Sequence, residues 1–87
     1  MKNSVEKNVN VLAYYFKANG PKLNGFPKKI EFDGRVIEFI ENGLQSLSEQ
    51  GQRIVQIFEM SDGQSNYKIE FDDEKNDWKL INLIGSV

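Results

Sequence analysis

The dipeptide Asp33-Gly34, set between Lys28–Phe32 and Arg35–Ile40, constrains the fold more than any other feature of the chain. Asp-Gly favours the two-residue turn of a β-hairpin, because both turn residues must take a positive φ. With these two as the turn, Phe32 opposes Arg35, Ile30 opposes Ile37 and Lys28 opposes Phe39. Ile30, Phe32, Ile37 and Phe39 then share one face, and Lys29 meets Glu38 on the other, where an ion pair fits. Turn chemistry and hydrophobic alternation demand the same register.

The period of two continues beyond the hairpin. Glu41-Asn42-Gly43 reads as a turn or bulge, and Leu44 and Leu47 precede a further turn at Ser48-Glu49-Gln50-Gly51. Gln52–Met60 reads as a strand with Ile54, Phe58 and Met60 on one face and Val55 and Ile57 on the other. Asp62-Gly63 opens another turn, after which Tyr67, Ile69 and Phe71 alternate with Lys68 and Glu70. Asp72–Asp77 is a polar loop. Trp78–Ile84 closes the pattern, with Trp78, Leu80 and Ile84 on one face and Ile81 and Leu83 on the other.

The first third reads differently. Val5, Val9, Leu12, Ala13 and Phe16 recur at helical spacing, Asn3 and Glu6 resemble a capping pair, and Asn19-Gly20-Pro21 supplies a stop. The spacing predicts a helix over residues 4–18, against the β-prone types in Val9-Asn10-Val11 and Tyr14-Tyr15-Phe16. The breakers Asn19-Gly20, Pro21, Asn24-Gly25 and Pro27 predict a loop over 19–27. The expected fold is therefore α+β, in a single small domain over residues 1–87. One N-terminal helix precedes a four- to five-stranded antiparallel meander over residues 28–84. That sheet either wraps the helix as a curved layer or closes into a small SH3-like, partly open barrel. Whether the last strand returns to the first is left open.

Composition narrows the chemistry. The chain has no cysteine, which removes disulfides, thiolate nucleophiles and cysteine metal sites, and no histidine, which removes the commonest general base. Asp72, Glu74 and Asn76 alternate like calcium ligands, but the EF-hand pattern needs glycine and glutamate where Asp77 and Leu83 stand. No glycine cluster precedes a helix as phosphate loops require. The reading expects no catalysis, cofactor or metal. No apolar run reaches the length of a membrane span, and Met1–Lys7 carries no apolar stretch behind its charges, so a cytoplasmic location and no membrane partner are expected.

Two candidate surfaces remain. Apolar residues on the second face of the strands, or at an edge, point to a protein partner or a second copy of the chain, through Val36, Ile40, Val55, Ile57, Ile81 and Leu83. The alternative rests on charge. Residues 1–29 hold six lysines against Glu6 alone, whereas residues 30–87 hold five basic groups against twelve acids. Tyr14, Lys17, Lys22, Lys28 and Lys29 interleave basic and aromatic character, the footprint of single-stranded nucleic-acid binding. The acidic pI of about 5.1 argues against that alternative.

Overall fold

The computed structural model describes the backbone of residues 2–85 and the side chains of residues 6–18 and 20–84. Eight strands follow one another: β1 (Lys2–Asn8), β2 (Asn10–Asn19), β3 (Lys22–Phe32), β4 (Arg35–Glu38), β5 (Leu44–Gln50), β6 (Arg53–Ser61), β7 (Ser65–Asp72) and β8 (Asp77–Gly85). They form a five-stranded sheet in the order β1-β8-β7-β6-β5 and a three-stranded sheet in the order β2-β3-β4. Every pairing is antiparallel.

The fold is all-β, which corrects the α+β expectation. The helix expected over 4–18 is two strands meeting at Val9. Val9 is buried, and its amide donates to the Trp78 carbonyl at 3.0 Å. The chain therefore leaves one sheet and enters the other as a nearly continuous bent strand. The helical spacing was coincidental: Tyr15 points into the core, while Leu12 and Phe16 point out. The side chain of Val5, placed on the helical face, lies outside the described residues. The loop expected over 19–27 is also corrected. Asn19 pairs with Lys22, so only Gly20-Pro21 turns, and Lys22–Phe32 is one strand. Pro27 fits there because β3 has a partner on only one side at that point, β4 pairing no earlier than Lys29, and because the register shifts nearby.

The hairpin at Asp33-Gly34 has the register its sequence demands: Phe32 opposes Arg35, Ile30 opposes Ile37 and Lys29 opposes Glu38. Asp33 and Gly34 take φ of 53° and 74°, as a type I′ turn needs. The ion pair forms one residue over, between Lys28 and Glu38 at 3.8 Å, with Glu41 at 3.3 Å from the same amine. Leu44–Gln50, expected to end in a turn at Ser48–Gly51, is a full strand, and the chain turns at Gly51-Gln52 instead. After β4 the chain crosses back to the larger sheet, where the Ile40 amide donates to the Ser61 carbonyl at 2.9 Å.

The core lies between the sheets. Tyr15, Phe26, Ile30, Phe32 and Ile37 from the smaller sheet, with Phe39 just beyond β4, meet Phe58, Met60, Tyr67, Ile69 and Leu80 from the larger. Aromatic rings bridge the layers: Phe26 meets Phe58 edge-on at 5.6 Å, and Phe39 meets Tyr67 at 5.2 Å. A bulge at Ile81 shifts the alternation of β8, since Lys68 pairs with Asn82 but Ile69 pairs with Leu80. Leu83 consequently packs on the core and Ile84 turns outward, the reverse of the faces expected from strict alternation.

Candidate binding surface

The smaller sheet has one face on the core and one open. On β2, residues 11, 13 and 15 point inward and residues 12, 14 and 16 point outward. The outward set is apolar: Leu12, Tyr14 and Phe16, joined by Leu23 on β3 and Val36 on β4, expose between 48% and 70% of their surface. Five large apolar side chains on one small sheet face exceed the scattered exposure normal for a monomer. Phe16 lies over Gly25, where an added Cβ would come within 3.0 Å of its ring, so the glycine lets the aromatic lie flat on the strand. Tyr14 leans toward Trp78, with ring centroids 6.0 Å apart.

The residues singled out in the sequence are divided by the fold. Val36 is exposed on that open face, and Ile40 is exposed in the crossing after β4. Val55 and Ile57 are buried on the far face of the larger sheet, Val55 completely. Their cover is polar. Gln50 on β5 donates to Glu70 on β7 at 3.1 Å, a span that passes over β6 at Val55, and Arg53 pairs with Asp72 beside it. Ile81 is half-buried at the bulge and Leu83 half-buried on the core. The lysines are dispersed. Lys17 and Lys22 are exposed near the β2–β3 turn. Lys29 is half-buried, and Lys28 is held by Glu38, Glu41 and the Phe39 carbonyl.

Leu12 and Phe16 fall on the apolar face of the helix expected from the sequence. A strand reading of Val11–Phe16 is the signal that exposes Leu12 and Phe16, because alternation then forces both opposite to Tyr15.

The polar clusters are structural. The Asp72 carboxylate pairs with Arg53 and accepts the amides of Glu74 and Lys75, so it closes the β7–β8 turn. At the β6–β7 turn, Asp62 accepts the amides of Gln64 and Ser65 at 2.8 and 2.7 Å, and the Tyr67 hydroxyl at 2.9 Å. Burial opposes ionisation of Asp62, but those three donors outweigh it and hold its carboxyl below the ordinary range. Burial, and then the neighbouring Asp62 carboxylate, push the Tyr67 hydroxyl up. No three potential metal-ligating side chains cluster among the described residues. The larger depressions, of about 360 to 400 Å³, are open to solvent, and one of them is lined by Glu6 and Glu70 with Arg53 and Lys79.

Comparison with protein-family models, with curated proteins and with solved structures finds no match for this chain.

Proposed function

We propose that the protein is a non-catalytic binding module whose docking surface is the outer face of the three-stranded sheet. The observation that carries this reading is the open apolar set Leu12, Tyr14, Phe16, Leu23 and Val36. Burying such a set against a partner removes apolar surface from water at about 25 cal/mol per Å². The partner is a protein with an apolar, weakly basic surface, because Glu31 and Glu38 also sit exposed on β3 and β4. A second reading, single-stranded nucleic acid, is favoured by one observation: Tyr14 and Phe16 stand two residues apart on β2, both outward, while exposed Lys17 and Lys22 lie near the β2–β3 turn.

Photo-crosslinking in extract of the source cell tests both. A crosslinker at Leu23, compared with one at Glu74 in the β7–β8 turn, is expected to give a defined protein adduct only at Leu23. That adduct survives nuclease and disappears in a Phe16→Ser background. Adducts lost on nuclease treatment favour the nucleic-acid reading, and equal labelling at both sites defeats the two together.

A further inference from the structure

The free edge of the larger sheet goes beyond that docking face. β5 is the last strand in its sheet and pairs only with β6, over all seven residues and without a register shift. Proteins blunt such edges with proline, lysine, a bulge or a covering segment, because unpaired amides and carbonyls template further pairing. β5, Leu-Gln-Ser-Leu-Ser-Glu-Gln, has no proline, no lysine and no bulge, and Glu49 is its single charge. By contrast, the exposed edge strand β4 is four residues long and carries Arg35 and Glu38. Leu47, at the centre of β5, is 69% exposed, and Ile54 on β6 beside it is exposed on the same face.

We propose that two copies of the chain join β5 to β5, antiparallel, about a two-fold axis at Leu47. That register is self-complementary. Leu47 meets its counterpart, Ser46 meets Ser48, and Gln45 meets Glu49, so no like charges face each other. The flanks agree. Lys17, Asn24 and Gln45 line one depression between the sheets. Because Gln45 lies opposite Glu49 of the second copy, Lys17 is brought beside that carboxylate. Each of the two contacts thus pairs an exposed lysine with an exposed glutamate. The result is one continuous sheet, with Leu47 and Ile54 of both copies in a single apolar strip.

Analytical ultracentrifugation across a concentration series is the test, with near-UV circular dichroism to verify folding. The wild-type chain is expected to approach twice the 10.0 kDa mass of one copy. Leu47→Lys and Leu47→Glu, at a surface position, should each stay folded and monomeric. Like charges at the axis should weaken association by on the order of a hundredfold. An equal mixture of the two variants should regain the dimer, since lysine then meets glutamate. Phe16→Ser should not alter the mass, which separates this interface from the docking face. A wild-type chain monomeric at every concentration overturns the proposal, as does a dimer indifferent to Leu47→Lys. A mixture that stays monomeric while wild type dimerises overturns the two-fold register.

Discussion

At the scale of single residues, a few polar groups secure the turns and the crossing between sheets. The Gly43 amide donates to the Tyr15 hydroxyl at 3.1 Å in a buried site. An added Cβ at Gly43 would also run into the Met60 side chain. Tyr15→Phe strands that amide without its partner, so thermal unfolding should show a loss of about 1–3 kcal/mol with the fold unchanged. The Asp62–Tyr67 pair sets a pH dependence. Asp62 ionises more readily folded than unfolded, so its contribution is full above the ordinary aspartate range and is lost as pH falls through its depressed value. Tyr67 has the opposite sense: its raised hydroxyl stabilises the fold until pH climbs through the tyrosine range. In Asp62→Asn the acid limb of the stability profile should flatten. Its phenolate absorbance should also appear at lower pH than in the wild type. Neither partnership was legible in the sequence: Asp62-Gly63 announces a turn, but not that Tyr67 reaches back to it.

At the scale of elements, legibility followed how local the deciding interactions are. The β3–β4 register was readable because Asp33-Gly34 and the alternation on either side agree within a dozen residues. Gly34→Ala places a side chain at φ 74°, and should cost about 1 kcal/mol by chemical denaturation. β1 and β2 were misread because their partners are distant or irregular. β1 pairs with β8, and β2 meets β3 through two register shifts between Val11 and Tyr14. With apolar residues on both faces of β2, period two fades and a helical period emerges by accident. β3 was cut short for a different reason: Gly25 and Pro27 look like breakers, yet one makes room for the Phe16 ring and the other stands where no second neighbour needs its amide.

At the scale of the whole molecule, the expected core survived the change of fold class better than the elements did. Ile30, Phe32, Ile37, Phe39, Phe58, Met60, Tyr67, Ile69 and Leu80 are all buried. The six apolar residues singled out as a surface are divided by the fold, Val36 and Ile40 exposed and Val55 and Ile57 buried, because a face can be judged open only once its layer is known. Recasting residues 4–18 from helix to strand moved Leu12 and Phe16 from the interior to the exterior and made the open apolar face visible. The pairing of β1 with β8 has a further consequence, in time rather than space. β1 ends at Asn8 and β8 begins at Asp77, so at ~5–20 residues per second of synthesis the first strand waits roughly 3–14 s for its partner to be made. Throughout that interval β1 has no β8 to pair with. Closure of the larger sheet is an event that follows synthesis of β8 and cannot accompany that of the strands before it.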